Sequence, residues 1–147
     1  MERKLKISKR FTPCPVDDGD EMYPNGIFVF NITKMTDYIQ TSDYPCEEIH
    51  VKDYRSHSKC NEDHLPTVDV TKPIIVAEIS PGRYSVIDGN HRLEKARRLG
   101  LEKLHAYRMP VEQHLRFLTT EQGYRAYIEY WNGKLKDAGR RAQKYGA

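Results

Sequence analysis

In the stretch YSVIDGNHRLEKARRLG, residues 84–100, three patterns follow one another without a break. Tyr84, Ser85, Val86 and Ile87 form a short β-prone run. Asp88-Gly89 is a turn signal, because glycine adopts the positive φ that other residues avoid. From His91 onward the chain is rich in helix formers, and Leu93, Ala96 and Leu99 recur at every third position. Gly100 stands where a glycine would close that helix. The stretch therefore predicts a strand, a tight turn and a helix beginning at Asn90-His91-Arg92. A helix start presents unpaired N–H groups and a partial positive charge, which together attract an anion. Arg92 adds a planar fork of donors suited to phosphate, and His91 adds a donor or proton relay. The plainer reading of the same residues is a capped helix: Asp88 or Asn90 as N-cap, Gly89 as a turn glycine and Arg92 solvated.

Working outward, Pro73 introduces the apolar run Ile74-Ile75-Val76-Ala77-Glu78-Ile79, and Ser80-Pro81-Gly82 forms a turn. The run and Tyr84–Asp88 are expected to pair as an antiparallel hairpin. Beyond the helix, residues 102–109 alternate as a strand: Leu104, Ala106 and Arg108 on one side, His105, Tyr107 and Met109 on the other. Pro110 then opens a helix over residues 111–118. Thr119-x-x-Gln122 has the form of a capping box. Tyr124, Tyr127, Ile128, Trp131 and Leu135 follow at helical spacing, so a C-terminal amphipathic helix is expected. Its aromatic face would pack on the domain, form a homodimer with a second copy, or stack nucleic-acid bases. The tail carries Lys134, Lys136, Arg140, Arg141 and Lys144 against Asp137, a basic end that is solvated or touches nucleic acid.

The residues from Pro73 to Ile79, then Tyr84 to Leu93 and Ala96-Arg97-Arg98-Leu99-Gly100, resemble the core of the ParB/sulfiredoxin superfamily. That superfamily shares a P-I-x-V strand, a hairpin, a Gly-x-His-Arg or Gly-Glu-Arg-Arg phosphate turn and a helix. The likeness spans residues 26–118. It implies an α/β (α+β) fold, a small mixed sheet with packed helices, flanked by an N-terminal segment (residues 1–25) and a C-terminal helical extension with a basic tail (residues 119–147). It also implies a nucleotide, ATP or ADP with CTP as a further possibility, whose phosphates rest on Gly89, Asn90, His91 and Arg92. Asp88 matches the acidic first residue of the Asp-Gly-x-His-Arg branch, which resembles free-serine kinases. There the acid would sit near Mg²⁺ or an acceptor hydroxyl. Those kinases take a proton-accepting glutamate from before the hairpin, and Glu47, Glu48 and Asp53 are the candidates here, with Glu48 grouped with Asp88 and His91 as catalytic residues. Two departures set other branches aside. Sulfiredoxins place a cysteine where Asn90 stands, so the thiolate chemistry has no nucleophile there. Chromosome-partitioning members carry glutamate where His91 stands, and only 47 residues follow Gly100, too few to expect a separate DNA-reading module. The implied function is a nucleotide-dependent phosphotransferase or ATPase acting on a small hydroxyl substrate. The alternative is a non-catalytic nucleotide- or DNA-binding module.

The remaining features bound these readings. A chain of 147 residues fits one domain with a real core. With 38% hydrophobic and 31% charged residues it has a globular balance and no apolar span long enough for a membrane. The start, MERKLKISKR, lacks the apolar stretch of a signal peptide, and three cysteines form no regular framework, so a reduced, cytoplasmic setting is expected. A net charge of +3 permits nucleotide or nucleic acid without demanding it. Leu5 and Ile7 alternate with polar neighbours, an edge strand or a frayed end. Residues 11–25, with Pro13, Pro15, Pro24 and the acids Asp17, Asp18, Asp20 and Glu21, read as a solvated loop. Residues 27–32 read as a strand buried on both faces, and Thr33 as the cap of a helix running to Ile39. Residues 40–65 are polar and hold Cys46, His50, His57, Cys60 and His64. The pairs Cys46-x3-His50 and Cys60-x3-His64 repeat one spacing that on helices would suit zinc; the other reading is scattered surface histidines and buried thiols.

Overall fold

The computed structural model describes residues 3–56 and 60–144, with side chains as far as Arg140. His57, and the side chains of Arg141 and Lys144 in the basic tail, lie outside the described residues. Two sheets and four helices make up a mixed α/β fold. Strands β1 (Met22–Asn25) and β2 (Phe28–Asn31) form a hairpin that leads into α1 (Ile32–Thr41). Strands β3 (Glu47–His50), β4 (Ile74–Ser80), β5 (Arg83–Asp88) and β6 (Lys103–Met109) form one sheet in the order β3-β6-β4-β5. Helix α2 (Asn90–Arg98) connects β5 to β6. Helices α3 (Val111–His114) and α4 (Glu121–Lys144) follow.

The expected hairpin forms, with β4 and β5 antiparallel, and β6 lies parallel to β4 on its other side. A parallel neighbour requires a crossover, and α2 supplies it. The crossover explains why Ile74 to Ala77 are all buried: each face of the sheet is covered. Ile74, Val76, Val86, Leu104 and Ala106 pack with Leu93 and Ala96 of α2 on one face. The alternate residues Ile75, Ala77, Ile87 and Met109 pack against α1, α3 and α4 on the other. The period-two alternation of a strand thus sorts one apolar run into two cores.

Several local expectations give way to tertiary contacts. Residues 22–25 are strand rather than loop, because Gly26 (φ +64°) turns the chain back so that Met22 pairs with Asn31. The turn leaves Ile27 57% exposed, not buried on both faces. Asn31 caps α1, its Oδ1 accepting from Lys34 N at 3.0 Å, and Thr33 Oγ1 instead accepts from Glu21 N at 2.8 Å. Residues 111–118 shorten to α3 followed by a 3-10 turn at Leu115–Phe117. Thr120 rather than Thr119 begins α4: its Oγ1 accepts from Gly123 N at 2.9 Å, while Thr119 Oγ1 donates to Val29 O. Cys46 and His50 flank and end the edge strand β3, and His64 precedes a 3-10 turn, so neither pair shares a helix face. Among the described residues no three His, Cys, Asp or Glu side chains come together to hold a metal.

The aromatic face of α4 is consumed inside the chain. Trp131 and Tyr127 have no exposed surface, and Tyr124 and Ile128 are almost as deep. That face is therefore not available for base stacking or for a dimer seam. Residues 3–11 form no strand but run along α4. Trp131 Nε1 donates to Arg3 O at 2.8 Å, Leu5 exchanges two 2.9 Å hydrogen bonds with the Asn132 amide, and Phe11 stacks on Tyr124 at 3.8 Å. The Arg3 guanidinium then reaches Glu78, 1% exposed, by a two-pronged ion pair at 2.5 and 2.7 Å. Among the described residues no helix is long and apolar enough to cross a membrane.

Candidate functional site

The turn between β5 and α2 is built by close packing. Gly89 holds φ +108° and ψ +25°, and a Cβ placed there would stand 2.4 Å from Ile74 Cγ2 and 2.8 Å from Ile74 Cβ. Only glycine lets the turn lie this close to β4. The β4–β5 register slips between Ile75 and Val76, next to the Ile75–Asp88 pair, which re-aims the strand end at the site. Arg92 locks the turn from the helix side. Its Nη2 donates to Asp88 Oδ2 at 3.0 Å and its Nη1 to Pro73 O at 2.6 Å. Gly89, in the N-cap position of α2, has no side chain to cap it; the first helical bond is Leu93 N to Gly89 O at 2.9 Å. The positive end of the helix therefore faces out of the turn.

It faces a cleft of about 500 Å³. Gly89, Asn90, His91 and Arg92 form one wall with Asp88. Residues 64–72 form the opposite wall, contributing His64, Asp69 and Lys72. Lys95 of α2 holds that wall in place by donating to Val68 O at 2.7 Å and Pro66 O at 3.1 Å. His91 Nε2 accepts from Asn61 N at 3.3 Å, which leaves the ring proton on Nδ1, and the His64 ring meets it edge-to-face at 5.2 Å. Lys72 has no ion-pair partner among the described residues, so its charge is available to a ligand. Asp69 is tied to Thr71 N and Oγ1, which hold its carboxyl below the usual range.

Glu21 completes the cleft. It stands just before β1, its N–H held by Thr33 Oγ1 and its carbonyl accepting from Ile32 N at 2.8 Å. Burial pushes its carboxyl above the usual range, the Asp88 charge pushes it further, and Arg92 opposes both. A carboxyl raised in this way holds a proton more readily than a free one, as a proton acceptor must. Asp88, Gly89, Asn90, His91 and Arg92 are thus brought together as the sequence suggests, whereas Glu48 is not. It lies on β3, at the far edge of the sheet from β5, opposite His105 and exposed. Glu47 pairs with Arg108 at 2.9 Å on the same edge, and Asp53 sits in a 3-10 turn at Val51–Asp53; neither lines the cleft. No local signal singles out Glu21, since only the β1–β2 hairpin carries it to Asp88. Lys72 and Asp69 likewise belong to an irregular segment that a pattern search passes over.

Residues 35–122 match the family described as ParB N-terminal domain. No curated protein matches the chain. Among solved structures, the C-terminally truncated chromosome-partitioning protein ParB from Caulobacter crescentus, complexed with CTP-gamma-S, matches with 15% sequence identity and a TM-score of 0.37. The match covers 57% of this chain and 50% of that one, so the chain spans about half the length of that relative.

Proposed function

The chain belongs to the ParB N-terminal domain family, and on that premise we propose that the cleft at the start of α2 binds the phosphates of a nucleotide, ATP, ADP or CTP, and serves a nucleotide-dependent phosphotransferase or ATPase. One observation carries this reading: the start of α2, seated by Gly89 against β4, opens onto a cleft that also holds two histidines and Lys72, which has no ion-pair partner among the described residues. Backbone N–H groups and a free ammonium on facing walls are what a chain of phosphate oxygens requires.

Each residue has a distinct part. His91 Nδ1–H and Lys72 bind and orient phosphate oxygens. Arg92, already committed to Asp88 and Pro73 O, fixes the turn and lends its charge without having to swing free. With no three-carboxylate cage among the described residues, Mg²⁺ would ride on the phosphates, and Asp88 would supply a protein oxygen. When bound it neutralises charge on the transferred group. Glu21 would take the proton from a hydroxyl, of water or of a small acceptor, as that oxygen bonds to the terminal phosphorus and the P–O bond to the bridging oxygen breaks, releasing the nucleotide one phosphate shorter.

The test is calorimetric titration of ATP, ADP and CTP with Mg²⁺ against wild type, Lys72→Ala and His91→Ala, followed by a phosphate-release assay on Glu21→Gln. Losing one charge-assisted hydrogen bond costs about 1.5–3 kcal/mol, so each alanine variant should bind about 10- to 150-fold more weakly. Glu21→Gln should keep binding and lose turnover. Binding with no turnover in wild type, whatever acceptor is offered, would leave the non-catalytic module. No binding by folded wild type would overturn the phosphate reading itself.

A further inference from the structure

The two histidines of the cleft meet edge-to-face at 5.2 Å, and their surroundings give them opposite hydrogen-bonding characters. His91 Nε2 accepts from Asn61 N at 3.3 Å, so its ring proton sits on Nδ1 and it serves a ligand as a donor. His64 is the reverse. It precedes the 3-10 turn Leu65–Thr67, and its carbonyl accepts from Thr67 Oγ1 at 2.8 Å. That bond uses the only proton of the hydroxyl, so toward His64 Nδ1, 3.4 Å away, Thr67 Oγ1 acts as an acceptor. The ring proton of His64 therefore sits on Nδ1, and Nε2 carries a lone pair with no donor on it among the described residues. An imidazole nitrogen with a free lone pair is a nucleophile. The backbone beneath this ring is held. His64 N donates to Asn61 O at 3.0 Å, Leu65 is a core residue at 6% exposure, Arg98 pairs with Glu62 at 2.9 Å, and Lys95 bonds Pro66 O and Val68 O. The His64 side chain itself stays exposed, on the wall of the cleft.

Resting on the phosphotransferase reading given above, we infer that His64 is itself a phosphoryl acceptor. When no hydroxyl acceptor is bound, a nucleoside triphosphate held at the start of α2 transfers its terminal phosphoryl group to His64 Nε2. The Nε2 lone pair forms the bond to phosphorus as the P–O bond to the bridging oxygen breaks, and the electron pair of that bond leaves on the nucleoside diphosphate. Nδ1 keeps its proton against Thr67 Oγ1 during the step, so the ring gains one positive charge, which it sheds by releasing that proton to water. No base takes part, because Nε2 has no proton to lose. A hydroxyl acceptor, by contrast, needs Glu21 to take its proton. The phosphate left on His64 adds negative charge to the wall that faces Asp88, which makes the modified cleft a poorer site for a second triphosphate.

The experiment incubates the full chain with Mg²⁺ and ATP or CTP carrying a radioactive γ-phosphate, with no acceptor added. It reads the label on the protein, the stability of that label to acid and alkali, and its position by peptide mass spectrometry. A phosphoryl group on an imidazole nitrogen survives alkali and is lost in acid, the reverse of one on serine or threonine. Wild type should take up alkali-stable label at His64. His64→Gln, which keeps a polar side chain but no nucleophilic nitrogen, should lose it. Thr67→Val, which removes the oxygen that fixes the ring tautomer, should label severalfold more slowly. Glu21→Gln should keep the label on His64 while losing phosphate release to water, since only the hydroxyl route needs a base. The inference is overturned if wild type binds a nucleotide and takes up no label, if the label lies on another residue, or if Glu21→Gln abolishes labelling together with phosphate release. If folded wild type binds no nucleotide, the phosphate reading falls and takes this inference with it, an outcome the binding titration separates from the other three.

Discussion

Replacing Gly89 by alanine tests the turn on which the rest of the site depends. Two penalties add. An L-residue at φ +108° is strained, at about 1–2 kcal/mol. The new methyl, 2.4 Å from Ile74 Cγ2, also overlaps a side chain with no exposed surface, and such overpacking costs about 1–3 kcal/mol. Ile74 cannot retreat easily, because it packs among Val76, Leu93 and Ala96 under α2. The sum is about 2–5 kcal/mol. With a urea slope of about 1.5 kcal/mol per M, the unfolding midpoint should fall by about 1.3–3.3 M. Gly82→Ala is the matched control, since Gly82 also has positive φ (+73°) but nothing within 4 Å of its Cβ position. It should lose only the backbone strain, about 1 kcal/mol. Urea unfolding followed by circular dichroism reads both variants, and nucleotide titration at low urea reads the site, where Gly89→Ala should bind about tenfold more weakly or worse as the start of α2 is pushed off β4. Equal losses in the two alanine variants would refute the argument that contact with Ile74 sets the turn.

Three further outcomes are expected. Arg3→Ala should destabilise the fold by about 2 kcal/mol, less than for a fully buried pair because Arg3 is 40% exposed; Arg3→Ala/Glu78→Gln should recover much of that in urea unfolding, since the stranded charge is removed. Burial pushes the Glu78 carboxyl up, but Arg3 and the N–H groups of Gly82 and Val111 outweigh it and hold it below the usual range, so its contribution is present above the unfolded carboxylate range and is lost as pH falls through it; the unfolding midpoint of wild type should fall more steeply below pH 4.5 than that of Glu78→Gln. Burial holds His114 neutral, with its pKa lowered to about 4, so its contribution is complete above pH 6.5 and is lost as pH falls toward 4, about 3 kcal/mol in all; His114→Gln should flatten the pH dependence of unfolding over that window.

The strand, turn and helix over residues 84–100 were legible because each rests on near neighbours: β-prone residues, a glycine turn, helix formers at the right spacing and a closing glycine. The hairpin partner and β6 were legible for the same reason. So was the group Asp88 to Arg92, which is contiguous in the chain and needs only the local turn to assemble. The segments that differ from expectation are those in which distant contacts outweigh local preference. Residues 22–25 carry a proline and follow an acidic run, yet pairing with β2 makes them a strand. The aromatic stripe of α4 was evident from its spacing, but only packing against residues 3–11 and the sheet decided that it faces inward.

The site divides along the same line. The sequence by itself determined the glycine turn and the start of α2, because Gly89, His91 and Arg92 sit within four residues and a helix start is a local event. Which carboxylate stands over that turn was a tertiary decision. Glu48 is nearer in sequence to the hairpin, but β3 pairs with β6 and carries it to the far edge of the sheet, while the β1–β2 hairpin and the Thr33 hydroxyl bring Glu21 beside Asp88. Lys72 joins the cleft for a similar reason: its position is set by where α2 packs and by the hydrogen bonds from Lys95 that hold residues 66–68. Local propensity acts over a few residues, whereas Glu21, Lys72 and the turn from Asp88 to Arg92 come from three separate parts of the chain, joined only when both faces of the sheet are buried.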